Sequence, residues 1–289
     1  MVRPLLLSFV LLASAAKSDK PAYYLYSKEG NEVSYSDMLN KLAKADIVLF
    51  GEIHNNALVH WLQLEVISDL DKANRPLVLG AEMFEADDQL IVDEYLSGTI
   101  ELRHVEAEAK VWNNFATDYK PLLNFAKVNE VPFVASNVPR RYASLVARQG
   151  LSALDSLAAE ALQYVAPLPI EIDTELPAYK SMIEMMGGGN HNSIQATNMV
   201  SAQAIKDASM AHSILQNLRE SSTFVHFNGS YHSDNFEGIY WYLKKKKPDL
   251  RVVTISSVEL VDINIWDEDL IGRADYIIAV PTTMTKTYR

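Results

Sequence analysis

The stretch "VLFGEIHNNALVHWLQLE", Val48–Glu65, runs from apolar residues through a glycine, a carboxylate and two imidazoles into a helical pattern. Val48, Leu49 and Phe50 belong to a β-rich run over 46–50, and Gly51 reads as the point where a tight turn leaves the strand. Leu58, Leu62, Val66 and Leu70 then repeat at i, i+4 on one helical face. Strand followed by helix is the building unit of a sheet covered by helices. In such sheets ligands bind beyond the carboxyl ends of the strands. Glu52 and His54 fall at that place.

Working outward, further β-rich runs lie at 76–83, 131–136, 223–229, 251–257 and 275–280. Several are almost continuously apolar, as strands buried on both faces are. The expected fold is α/β, a mainly parallel sheet flanked by helices. Residues from about 140 to 218 contain no strand pattern and read as an all-helical insert between the third and fourth strands. "GGGN", Gly187–Asn190, breaks that insert, and no Lys-Ser/Thr pair follows it as a phosphate loop requires. "KKKK", Lys244–Lys247, precedes Pro248 and reads as a helix C-terminus whose cations complement the dipole.

The chain has 289 residues, nearly half apolar, and a formal net charge of −11. Length suits one large domain, and the acidity argues against nucleic-acid phosphates as partners. Arg3, the apolar run Leu5–Ala13 and the small residues Ala13–Ala15 have the form of an export signal over 1–15, followed by a single domain over 16–289. The apolar run is too short for a transmembrane segment. There are no cysteines, which excludes disulfides, thiolate metal sites, covalent haem attachment and lipidation on Cys. The expected location is the periplasm or the outer-membrane surface.

Four strand ends carry polar residues: Glu52 and His54 after the first, Glu82 after the second, Asn137 after the third, Asn228 and His232 after the fourth. Glu52 and His54 are two apart, so in extended backbone their side chains share a side. Carboxylates with imidazoles suit a divalent metal (Zn, Mn or Fe) and equally suit acid–base work on a water. His60, with Leu64 and Ile67 on its face, reads as a packed histidine. His212, with Ile205, Ala208 and Leu215 at helical spacing, reads as structural, and Tyr231 as a loop aromatic.

Five ordered blocks, "LFGEIHNNALVHWLQLE", "LVLGAEMFEADDQ", "VPFVASNVPRR", "SAQAIKDASMAHSI" and "FNGSYHSDNFEGIYWYL", resemble the ChaN-like, haem-binding uptake branch of the Tiki superfamily. The resemblance runs from about Ile47 to Ser257. It implies an α/β core with a helical insert and a role in haem or iron acquisition. It further implies haems stacked face to face between two protomers, each iron held by a tyrosine, hence a homodimer, in some cases ligand-induced. In the insert, "LPAYKSMIEMMGGGNHN" offers Tyr179 and His191 as haem-binding residues, with Met182, Met185 and Met186 to line a flat ligand. The family's lipidated cysteine is missing here. The superfamily also contains proteases and erythromycin-esterase-like hydrolases. The competing expectation is therefore a metal-dependent hydrolase, with Glu52, His54, Glu82 and His232 as metal ligands and catalytic groups. A third is an exported scaffold that binds another protein through its insert.

Overall fold

A computed structural model of the chain describes residues 20–187 and 193–288. The signal-like segment 1–15, His191 and Gly188–Asn190 of the glycine run lie outside the described residues. Among the described residues, the strands are β1 (Tyr24–Ser27), β2 (Ile47–Glu52), β3 (Leu77–Glu85), β4 (Phe133–Asn137), β5 (Thr223–Gly229), β6 (Val252–Leu260) and β7 (Tyr276–Pro281). They form one sheet in the order β1-β7-β6-β2-β5-β3-β4. Only β1 runs antiparallel, against β7; every other pairing is parallel.

The helices are α1 (Tyr35–Leu42), α2 (Ala57–Lys72), α3 (Gln89–Leu96), α4 (Leu102–Glu108), α5 (Lys120–Val128), α6 (Arg140–Gln149), α7 (Ala159–Leu162), α8 (Pro177–Gly187), α9 (Ile194–Asn217) and α10 (Ile239–Lys246). Alternation along the strands divides them between two cores. Val48, Phe50, Leu79, Phe227 and Ile255 face α1, α2 and α5, which bury Met38, Leu62, Val66 and Leu123 against them. Ile47, Leu49, Val78 and Phe224 face the other way, onto Val146 of α6, Ile205 and Ile214 of α9 and Leu243 of α10. Every residue of β2 is buried, which is why its sequence is apolar without interruption up to Gly51.

The helical insert is present, and α6 and α9 form one wall of the second core. The lysine run ends α10 as expected, with Lys244 donating to the Pro248 and Leu250 carbonyls beyond the helix. Two local expectations change. The edge strand β1, "YLYS", is absent from the sequence reading: four half-polar residues carry too little periodicity, and the partner that makes them a strand lies at the far end of the chain. Gly51 makes no turn; it is inside β2. A Cβ there would stand 2.7 Å from the Ile255 carbonyl oxygen and 2.9 Å from the Ser230 Cα. The glycine is there because backbone closes in on it from two sides, and backbone cannot swing aside.

Gly51→Ala is therefore expected to lower stability by about 1–3 kcal/mol through overpacking, read as the midpoint of urea unfolding. An unchanged midpoint would show that the strand ends can spread.

Candidate functional site

The parallel strands β2, β3, β4 and β5 deliver their carboxyl ends to one edge of the sheet, and a pocket of about 1040 Å³ opens there. Glu52, His54, Glu82, Asn137 and His232 all line it, so five of the strand-end residues meet. The sixth, Asn228, is fully buried behind the pocket. Its amide donates to the Gly229 carbonyl and the Ser233 hydroxyl and braces the turn after β5.

One half of the site is built on β2. Asn56 caps α2 by accepting from the Leu58 and Val59 amides, and this fixes where the chain leaves the strand. His54 Nδ1 sits 2.9 Å from Glu52 Oε1, the contact expected of residues two apart. Glu52 also accepts from the Tyr119 hydroxyl at 2.7 Å and the Gln63 amide at 2.6 Å. Burial opposes ionisation of Glu52, but the imidazoles of His60 and His54 outweigh it and hold its pKa below the usual value. Burial likewise opposes charging of His54, and the hydrogen bond and charge of Glu52 outweigh that and raise its pKa.

His60 belongs to this half. It is buried, but among polar groups: Nδ1 is 3.0 Å from Gln63 Oε1 and Nε2 is 3.1 Å from the His54 carbonyl oxygen. A π-helical turn, Phe115–Tyr119, sets Asp118 and Tyr119 beneath it, and Asp118 accepts from Asn114 and Thr287 at 2.6 Å each. Trp112 packs edge-on against His54, ring centres 4.8 Å apart.

The other half joins β3, β5 and the insert. Glu82 Oε2 accepts from the Gly229 amide at 2.8 Å, and Glu82 Oε1 lies 3.1 Å from His232 Nε2. His232 Nδ1 bonds Asp207 Oδ1 at 2.5 Å, and Asp207 Oδ2 accepts from the Tyr179 hydroxyl at 2.6 Å. Both ring nitrogens of His232 thus face carboxylates, as only an imidazolium can satisfy. Burial pulls the His232 pKa down, but the charges of Glu82 and Asp207 outweigh it and push it up to about 10. Burial pushes Glu82 up, and the cation beside it overcomes this and drives the pKa well below the carboxylate range. Gly229 joins the halves: a Cβ there would lie 2.8 Å from His54 Nε2, so the glycine is what lets that nitrogen approach Glu82.

Behind the pocket, His226 is fully buried between Ser136 Oγ, at 2.7 Å from Nε2, and Asn228 Oδ1, at 3.1 Å from Nδ1. Burial pushes its pKa down to about 4, so it is neutral. Two buried asparagine oxygens of pocket-lining residues, Asn114 Oδ1 and Asn137 Oδ1, have no hydrogen-bond donor among the described residues.

The expected metal shell needs correction. Among the described residues no group of three or more His, Asp or Glu side chains is placed to hold one ion. The physical reason is that the four strand-end residues are already spent on each other. His232 has no free lone pair, Glu52 takes three donors, and Glu82 is held by Gly229 and His232. The expected haem tyrosine, Tyr179, is buried, and its hydroxyl is taken by Asp207; Tyr231 and Tyr288 are the tyrosines lining the pocket. Of the methionines, Met182 packs beside Tyr179, whereas Met185 and Met186 are exposed. Sequence reasoning missed Asp207, Tyr119, Asp118, Gln203, Lys206 and Arg140. Asp207 alone had a signal, a carboxylate among small apolar residues on the buried side of α9.

His232 binds its second proton more tightly folded than free, where the imidazole value is 6.5. Its stabilising contribution is complete below about pH 6.5 and is lost as pH rises towards about 10. His232→Gln leaves Glu82 and Asp207 buried without their cation and is expected to cost about 3–5 kcal/mol at pH 7 by urea unfolding. The wild-type fall in Tm between pH 7 and 10 should flatten in that variant. An unchanged alkaline slope would assign the loss to another group.

Among solved structures, ChaN of Campylobacter jejuni, described with cofacially bound haem, superposes with a TM-score of 0.64 at 19% identity, covering 89% of this chain and 96% of that one. A Bacillus cereus protein matches with a TM-score of 0.51 at 11% identity, over 86% and 92% of the two chains. The erythromycin esterase EreC matches equally, with a TM-score of 0.51 at 11% identity over 89% and 97%. At these identities the likeness is one of fold. No curated protein sequence matches the chain significantly. Residues 38–243, well over half of the chain, match the family described as "Haem-binding uptake, Tiki superfamily, ChaN". With its strand-end site and helical crossover in place, the chain belongs to that haem-binding uptake family of the Tiki superfamily.

Proposed function

We propose that the protein binds haem in the strand-end pocket and serves haem or iron uptake, as an exported protein that dimerises around its ligand. Family membership carries the haem reading, and the pocket supports it with groups that fit a porphyrin. Val111, Trp112 and Val138 supply an apolar wall. Arg140, paired with Glu85, and Lys206, which makes no ion pair among the described residues, supply cations for two propionates. Bound ferric haem would bring an iron that takes a hard anionic oxygen ligand.

We assign that ligand to Tyr231 in preference to Tyr179. Tyr231 lines the pocket, is 41% exposed and would give up only a 3.1 Å bond to the Ala178 carbonyl, whereas the buried Tyr179 would have to give up the Asp207 carboxylate. Burial, then the charges of Asp207 and Glu237, push the Tyr231 phenol up to about 12. Tyr231 therefore sheds a proton on ligation, and affinity should rise with pH. The dimer reading rests on exposed apolar side chains at the neighbouring ends of α8 and α9, Met185, Met186, Ile194 and Met199. Among the described residues no helix is long and apolar enough to cross a membrane.

Hemin titration should give a tyrosinate-type absorption spectrum with 1:1 stoichiometry per chain and a shift to dimer on gel filtration. Tyr231→Phe should abolish that spectrum, while Tyr179→Phe keeps it. The reverse pattern would return the role to Tyr179, and spectra matching free hemin would remove the haem reading.

A second reading has its own observation. Glu52 holds His54 by Nδ1 and leaves Nε2 towards the pocket, the geometry of a general base on water, with Asn114 and Asn137 as unpaired acceptors for that water. With Glu52 and His54 bonded to each other, this reading is ester hydrolysis by general-base catalysis. It predicts turnover of p-nitrophenyl esters, reduced about 100-fold or more by His54→Ala. No turnover above buffer would eliminate it.

A further inference from the structure

The segment 166–171 and helices α9 and α10 enclose a second cleft of about 470 Å³, which shares no lining residue with the strand-end pocket. Its floor is apolar: Ile170, Ala208 and Ala211 are buried, with Pro167, Pro169 and Leu215 beside them. Its rim carries Lys245, Lys246 and Lys247, with the His212 imidazole and the Glu171 carboxylate among them. These cations are not equivalent. Lys245 is paired with Glu171 and lies over the Trp241 ring. Lys246 and Lys247 make no ion pair among the described residues. Lys246 lies close enough to His212 that its charge, after burial, lowers the imidazole pKa.

The helix dipole accounts for lysines at the end of α10. It does not account for an apolar hollow beneath them. On a chain of net charge −11, this is a place where positive charge lacks a counter-ion beside surface that hydrocarbon would cover. A cleft of this volume is in the range of small-molecule sites and too small for a folded partner. A bare inorganic anion would use the rim and leave the floor empty, and a neutral lipid would do the reverse.

We propose that this cleft binds a small amphiphilic carboxylate of the fatty-acid class, its carboxylate on the Lys246 ammonium beside the His212 imidazole and its chain over Ile170, Ala208, Ala211 and Leu215. Lys247 adds a second, more distant charge. The site is independent of the haem reading, because the two pockets have separate walls.

Calorimetric titration of the full chain with decanoate, decanol and acetate tests the assignment. Decanoate should bind 1:1, and decanol and acetate each at least about tenfold more weakly, since each lacks one half of the match. Lys246→Gln, an exposed change whose folding is checked by its urea midpoint, should weaken decanoate about tenfold. The same variant should leave the hemin titration unaltered. Equal binding of decanol and decanoate, no decanoate binding, or full affinity in Lys246→Gln would each overturn the proposal.

Discussion

A buried imidazolium between two buried carboxylates organises this protein. His232 stands between Glu82 on β3 and Asp207 on α9, with almost no solvent on any of the three. Burying one such charge alone costs several kcal/mol, so none of the three is tolerable without the others. The triad also ties elements distant in sequence: a sheet strand, the turn after β5 and the helical crossover. Tyr179 extends it, because its hydroxyl occupies the remaining oxygen of Asp207 and anchors α8.

The Glu52 network shows the same economy on the other side of the pocket. Each Glu52 oxygen is occupied, by Tyr119 and His54 on one and Gln63 on the other. The floor of the pocket is thus rigid and saturated, and the groups left for a ligand stand at its walls and rim. His54 Nε2, Lys206, Tyr231 and the two asparagine oxygens are of that kind. One sheet architecture is shared by a haem-binding ChaN and by an esterase, so fold alone does not choose a chemistry. The choice lies in which of these wall groups a ligand engages.

Much of this was legible before any coordinates. The buried strands were visible as uninterrupted apolar runs, because burial on both faces removes alternation. The crossover was visible as a long stretch without a strand pattern. Glu52 and His54 could be paired from spacing alone, because extended backbone brings residues two apart to one side. Gly51 was misread, because a glycine that admits neighbouring backbone looks in sequence like a glycine that turns. His60 was underread for a similar reason: its apolar helical neighbours are real, but its own partners are Gln63 and the His54 carbonyl. Tyr119 lies in a near-helical segment where a polar residue is ordinary; Asp207 stands out among small apolar residues of α9, but which groups either one meets is set by packing.

By itself, then, the sequence determined six of the seven strands, the edge at which the site lies, the family and five strand-end residues that meet. The strands and the edge follow from local periodicity and from the rule that parallel strands end together, the family from the resemblance of five ordered blocks. Tertiary structure decided what the meeting means. The charge of each carboxylate and imidazole depends on which partners are within hydrogen-bond reach and on how much water is excluded. Those partners come from α9, from the π-helical turn and from the glycine that ends β5, positions that no local pattern relates. For that reason the four residues expected to share a metal pair with one another, Glu52 with His54 and Glu82 with His232, and Tyr179, expected from the resemblance as a haem ligand, donates its hydroxyl to Asp207.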